Sequence, residues 1–254
     1  MLLNKFFIKL AAPVPKLEKY RRYLFVAPHP DDIEIAAGAT VARLCAEGRE
    51  VSFLICTDGR FGTDDKNADP DDIAAIRRAE QLKSAETLGV KKVVFLSFSD
   101  GGMYREEELR AEIAKAAAEI KPEVIVCPDY RLANECHPDH IKTGRAAAEA
   151  FLTVPFYQMM KAFGTEKTAE PEVLAFYFTD KPNYYVKTGK YCDKAKEAFD
   201  CFVSQFPLGG EEYQNLRLYM DFKSRLNGFR SLKGRADAFR VVNRLHIHCC
   251  TEAE

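Results

Sequence analysis

Four short runs of nearly uninterrupted apolar residues punctuate the first half of the chain: YLFVA (23–27), VSFLICT (51–57), KKVVFLS (91–97) and EVIVC (123–127). A strand with one face in water alternates apolar and polar side chains, so runs without alternation describe strands covered on both faces. The segments between them have helical character. Residues 34–47 are rich in Ala, Leu and Ile and stop at Gly48, and the segment opening DPDD offers Asp69 as N-cap, Pro70 at the first helical position and Gly89 as the stop. Residues 105–120 form a third helix, closed by Pro122. Strands alternating with helices predict right-handed βαβ units, hence an α/β Rossmann-like three-layer sandwich with a mostly parallel sheet. Ligands of such sheets bind beyond the carboxyl ends of the strands, which directs attention to the loops after residues 27, 57, 97 and 127.

The rest of the chain is less regular. VLAFYFT (173–179) and YYVK (184–187) read as strands, 191–204 and 211–227 as helices, and AFRVVNRLHIH (238–248) as a closing strand. No composition shift marks a boundary, so the 254 residues are expected to form a single domain, with 1–20 as an N-terminal arm and 170–254 as its less regular part. Lys and Arg total 37 against 38 Asp and Glu, which leaves no basic field for nucleic acid. No apolar run of about twenty residues occurs, so no membrane partner is expected. Lys5 and Lys9 break up the opening apolar stretch, and it is read as an arm rather than a secretory leader. Eight cysteines without a C-x-x-C pair suit a reducing, cytoplasmic setting. The expected partner is a small molecule, and homo-oligomerisation is left open.

Three of the five histidines fall in two short motifs at the crevice edge of the expected sheet. HPDD (29–32) follows the first strand and HPDH (137–140) follows the fourth. A catalytic zinc site takes imidazole nitrogens and carboxylate oxygens and keeps one position open for water, whose pKa it lowers toward roughly 7. His29, Asp32 and His140 supply such a set. Asp31, adjoining a ligand, is placed to take a proton from the attacking water. Pro138 and Asp139 mark the first turn of a helix, so His137 and His140 can face one cavity. A protonated His137 could stabilise an oxyanion and protonate a leaving amine, with Asp139 orienting it and favouring its charge.

The paired motifs HPDD and HPDH resemble the PIG-L/LmbE-like family of zinc-dependent de-N-acetylases. Further segments are similar to that family: TDGRFG (57–62), IRRAEQLKSAETLGV with Arg77 and Glu80, SDGGM (99–103), and KAKEAFDCFVSQF and RADAFRVV near the end. The resemblance implies an LmbE-like fold, with His29, Asp32 and His140 as ligands to zinc or another divalent metal such as iron. It also implies Asp31 as general base, His137 as electrostatic or acid partner, and Arg77 as a substrate contact. The implied reaction removes acetyl from an N-acetylated glycoconjugate of the N-acetylglucosaminyl type, the alternative being another N-acyl or thiol-conjugate amide. The chain departs from the pattern at Ile33, where an acid is common and Glu34 stands one place later, and at Phe202, where many members carry histidine.

Other features admit simpler readings. GRFG lacks a dinucleotide fingerprint and shapes a turn and a crevice wall, which disfavours a dehydrogenase. The tail HIHCC reads as a half-buried edge strand with His246, His248 and Cys250 on one face, a second metal site being the alternative. Cys136 reads as a packing residue. A metal- or sugar-binding module without catalysis is disfavoured because Asp31 and His137 are both present.

Overall fold

The computed structural model describes residues 13–248. Its seven strands, β1 (Arg22–Ala27), β2 (Glu50–Thr57), β3 (Lys92–Phe98), β4 (Val124–Pro128), β5 (Val173–Tyr177), β6 (Tyr184–Lys187) and β7 (Ala236–Val242), form one sheet in the order β3-β2-β1-β4-β5-β7-β6. The first five run parallel, and β7 pairs antiparallel with both β5 and β6. The helices are α1 (Asp32–Ala46), α2 (Pro70–Leu88), α3 (Glu106–Ile120), α4 (Pro138–Thr153), α5 (Tyr157–Ala162), α6 (Cys192–Phe199), α7 (Glu211–Ser231) and α8 (Arg244–His248).

The apolar runs are continuous because each strand feeds two cores. Tyr23, Phe25 and Ala27 of β1 point into one, with Ile33, Ala37 and Val41 of α1 and Ala85 and Leu88 of α2. Leu24 and Val26 point into the other, with Leu109 and Ile113 of α3 and Ala146, Ala147 and Phe151 of α4. Successive side chains alternate faces, so both parities must be apolar. Asp69 caps α2 by accepting from the Asp71 amide at 2.9 Å, and Gly89 ends it. Of the arm, residues 1–12 lie outside the described region, while Leu17 and Tyr20 are buried in the first core.

The strand order reverses at β1: its neighbour on one side is β2 and on the other β4. At such a switch point the connections leave β1 and β4 toward opposite faces and open a crevice between them. The loops carrying HPDD and HPDH are the two that flank it.

Three expectations are corrected. The closing strand ends at Val242, because the Asn243 side chain accepts from the His246 amide at 3.1 Å while the His246 ring accepts from the Asn243 amide at 3.2 Å. This reciprocal cap starts α8, so His246 and His248 belong to a helix rather than to one strand face; Cys249 and Cys250 lie outside the described residues. The helix expected over 191–204 is confined to Cys192–Phe199 and gives way to turns. β5 stops at Tyr177 because Phe178 takes φ 50° and leaves the strand. Among the described residues no helix is long and apolar enough to cross a membrane, and Cys45, Cys56, Cys127, Cys136, Cys192 and Cys201 are all unpaired.

Candidate metal centre and active site

The turn from β1 into α1 is held in a costly shape. Asp31 has φ 105°, a conformation that non-glycine residues adopt only when their surroundings enforce it, at a cost of about 1–3 kcal/mol. The enforcement comes from α2. Gln81 accepts from the Asp31 amide at 3.2 Å, and Arg77 donates to the Asp31 carboxylate at 3.0 Å and to the Pro30 carbonyl at 2.9 Å. At the start of the turn, the Thr57 hydroxyl donates to the Pro28 carbonyl at 2.8 Å. Asp32 follows as the first residue of α1 and accepts from the His29 amide at 3.0 Å.

The second half of the centre comes from α4. His137 is its N-cap, with Nδ1 accepting from the Asp139 amide at 3.3 Å, and His140 lies on the first turn. His29, Asp32 and His140 bring one ligand atom each to within 4.8 Å of one another. Asp32 is central: one oxygen lies 3.3 Å from His29 Nδ1 and the other 3.3 Å from His140 Nε2.

Asp139 clarifies which nitrogen of His29 is available. Its carboxylate takes Nε2–H of His29 at 3.0 Å and the Gly101 and Gly102 amides at 2.7 Å each. Nδ1 then faces Asp32 at 3.3 Å, where a metal ion would take the place of the proton that the ring shares with that carboxylate. A carboxylate behind a ligating imidazole is the arrangement that fixes the tautomer in metal centres. Burial would raise the Asp139 pKa, but the His29 and Gly101 hydrogen bonds outweigh it and bring it down to about 2. The SDGGM segment thus supplies two amides to Asp139.

The electrostatics favour a cation between these residues. Burial opposes charge on His29, yet hydrogen bonds to Asp139 and Asp32 raise its pKa to about 10. Burial likewise opposes ionisation of Asp32, and His140 and His29 overcome it, leaving the carboxyl well below its ordinary range. Two imidazoles and one ionised carboxylate, with a fourth position open, fit a catalytic divalent ion by donor chemistry. Among the described residues, the groups with such geometry are this one and His29–His137–Asp139, which overlaps it; of the tail considered for a second centre, Cys249 and Cys250 lie outside the described residues.

The structure revises the surroundings expected of two residues. Arg77 is 4% exposed, and its guanidinium is occupied by Asp31, Pro30 and the Gly59 carbonyl, so it supports the turn from below. The glycines of TDGRFG exist for it: a Cβ on Gly59, which has φ 67°, would lie 2.5 Å from the guanidinium, and one on Gly62 2.6 Å. Asp139 is engaged with His29, and its carboxylate stands 3.8 Å from His137 Nδ1, too far for a hydrogen bond. His137 is not charged by its surroundings. Burial and then His29 and His140 lower its pKa below the ordinary histidine value, which disfavours the charged form. Because Nδ1 accepts a hydrogen bond, Nε2 carries the proton of this half-exposed ring, which stands edge-on to His29 at 4.7 Å.

Burial dominates Asp31, raising its pKa to about 7, with Arg77 as the main opposing influence. Glu34 is fully buried, its Oε1 accepting from Gln81 at 2.8 Å and from Ser84 at 2.6 Å. It holds Gln81 in the orientation that receives the Asp31 amide. Glu135, unremarked in the sequence, accepts from the His137 amide at 2.8 Å and lies 3.1 Å from His140 Nδ1, off the line of a hydrogen bond. Its only sequence signal is an acid two residues before the HPDH motif. Phe178 stacks on His140 at 6.0 Å and 10°, a contact that no local pattern announces.

The model of the PIG-L family, described as GlcNAc-PI de-N-acetylase, matches residues 24–151. The chain belongs to the PIG-L family. This PIG-L member is 32% identical over 253 residues to a diacetylchitobiose deacetylase of Thermococcus kodakarensis, covering 98% of this chain and 92% of the relative. A 1D-myo-inositol 2-acetamido-2-deoxy-alpha-D-glucopyranoside deacetylase of Kineococcus radiotolerans is 31% identical over 172 residues, 56% of this chain and 47% of that one. In structure it is similar to the N,N'-diacetylchitobiose deacetylase of Pyrococcus horikoshii, with TM-score 0.89 and 28% identity over 99% of this chain and 95% of the other. These relatives are deacetylases, hydrolases of amide bonds.

Proposed function

We propose that this PIG-L member is a zinc-dependent deacetylase that removes acetyl from the amino nitrogen of an N-acetylglucosaminyl conjugate such as diacetylchitobiose. The observation that carries this reading is the convergence of His29, Asp32 and His140 beside Asp31 and the His137 ring. His29 through Nδ1, Asp32, and His140 through Nε2 would hold the ion. When bound, a divalent ion there supplies Lewis acidity toward water and the amide carbonyl.

The chain's own groups supply the proton transfers. Asp31, with a pKa near neutrality, accepts a proton from the attacking water and can return it to the departing amine. Arg77 and Gln81 keep its strained backbone and carboxylate in place. The Nε2–H of neutral His137 donates to the oxygen on which negative charge develops. Asp139 keeps His29 in the tautomer that leaves Nδ1 free, a positioning role.

The test is release of acetate and free amine from N,N'-diacetylchitobiose. Release is expected to stop with a chelator and to return with Zn²⁺, and Asp31→Asn should retain one zinc per chain while losing at least about 100-fold in kcat. Cleavage indifferent to chelation, or confined to amides other than N-acetylglucosaminides, refutes the proposal. His140→Ala that still holds one zinc per chain with unchanged affinity removes His140 from the ligand set.

A further inference from the structure

A cavity of about 160 Å³ lies between α1, the segment after β5, β7 and α7, lined by none of the metal-ligand candidates. One water takes about 30 Å³ of liquid, so this space suits a ring-sized group rather than a single solvent molecule. Its position is set by the metal centre. Ile35 and Ala36 in its wall are three and four residues beyond Asp32 on α1, hence on the same helix face one turn of about 5.4 Å away. Phe178 stacks on His140 and also lines the cavity. The cavity wall therefore shares Phe178 with the metal centre and lies one turn along α1 from Asp32.

Its lining describes the occupant. Asn227 is 4% exposed, faces the cavity, and its side-chain amide makes no hydrogen bond to another described residue. Asp237 takes the Thr40 amide at 2.8 Å and the Thr40 hydroxyl at 2.7 Å on one oxygen, which leaves the other for a ligand. A buried amide with donors and an acceptor, next to a carboxylate oxygen, matches adjacent hydroxyl groups, which both donate and accept. Tyr219 and Phe178 add aromatic surface for the apolar C–H groups of such a ring. Asp180 and Asp237 balance Lys223 and Arg230, so the cavity has no net charge to select an anion.

We propose that this cavity is the subsite for the group attached to the amino sugar: a neutral, hydroxyl-rich six-membered ring, either a hexopyranose or a cyclitol. The proposal rests on the deacetylase reading above and adds a determinant of which conjugate is chosen. In it Asn227 and Asp237 bind hydroxyls of the second ring, and Tyr219 and Phe178 cover its faces.

The experiment compares kcat/KM of the full-length holoenzyme for N-acetylglucosamine, N,N'-diacetylchitobiose and N-acetylglucosaminyl-inositol. Asn227→Leu and, as a surface variant that leaves the interior of α7 intact, Tyr219→Ala are measured in parallel. The expected result is a fall of about tenfold or more in the ratio of conjugate to monosaccharide activity, carried by KM; the conjugate that suffers identifies the ring. A second measurement, calorimetric binding of cellobiose and of myo-inositol, involves no acetyl group. Saturable binding by the wild type that weakens in Asn227→Leu supports the subsite even if no N-acetyl sugar is hydrolysed, an outcome that would refute only the reaction. Losses shared equally by monosaccharide and conjugates, or unchanged ratios in both variants together with no saturable binding of either probe, overturn the proposal.

Discussion

Replacing Arg77 with Met should expose how much of the centre is held from beneath. The guanidinium is buried and meets the Asp31 carboxylate at 3.0 Å, the Pro30 carbonyl at 2.9 Å and the Gly59 carbonyl at 3.2 Å. Met fills similar space but leaves a buried carboxylate without its counter-charge and the Pro30 carbonyl without a donor, while the Gly59 carbonyl keeps the Gly62 amide at 3.1 Å. Breaking a buried pair on one side costs about 3–5 kcal/mol. At roughly 2–4 °C per kcal/mol for a chain of this size, Tm should fall by about 6–20 °C. Asp31 reports on the same event. Arg77 is the main influence lowering its pKa from where burial alone would put it, so the variant's carboxyl should titrate above the present value of about 7. The acid limb of the pH–rate profile should then move to higher pH, with neutral-pH kcat depressed and partly regained in alkali. A double-mutant cycle isolates the pair: in an Asp31→Asn background, Arg77→Met should cost less by about 0.5–3 kcal/mol. A Tm within 2 °C of wild type, with KM raised and kcat retained, would show Arg77 to be a substrate contact after all and would refute the support role.

Three further outcomes are expected. Asp139→Asn weakens the acceptor for His29 Nε2–H and for two glycine amides, and zinc affinity measured against a competing chelator should drop about 10–100-fold; unchanged affinity would remove Asp139 from its positioning role. Gly59→Ala combines φ 67° with a Cβ at 2.5 Å from the Arg77 guanidinium, so its urea midpoint should fall further than that of Gly48→Ala, where φ is 77° but nothing lies within 4 Å. Backbone strain alone costs each about 1–3 kcal/mol, and equal losses would mean that Arg77 yields easily. Glu34→Gln tests the buried acid: burial raises its folded pKa from 4.5 to about 7, so the folded state holds the proton more tightly and this group's contribution to stability falls as pH rises between those values. The variant lacks that loss, so its stability relative to wild type should grow by about 1.4 kcal/mol per pH unit across the window, whereas parallel stability–pH curves would contradict the assignment.

Much of the fold was legible because local and global preferences agree. The helix signals at Asp69, Pro70 and Gly89 bound α2 as expected. Errors gathered where one residue's side chain overruled a pattern. Residues 238–248 kept an apolar rhythm compatible with a strand, but the reciprocal hydrogen bonds of Asn243 and His246 turned the chain into α8. At the centre, the spacing of HPDD and HPDH located His29, Asp32 and His140, since both motifs had to lie at strand ends. The partners of those side chains were not legible. Asp139 looked like the companion of His137 because the two are neighbours in sequence, yet its carboxylate reaches back to His29, 110 residues earlier.

By itself the sequence determined the layered architecture, through period and capping, and the donor set, through residue type at strand ends. Both are properties that neighbours along the chain impose on one another. Only the tertiary structure decided that Arg77 faces inward, that two glycines make room for it, that Glu34 orients Gln81 beneath Asp31, and that Phe178 joins the metal centre to a polar cavity. Those relations depend on the angle and offset at which α2 and α7 pack against α1, and packing between elements distant in sequence leaves no mark on the local pattern of either.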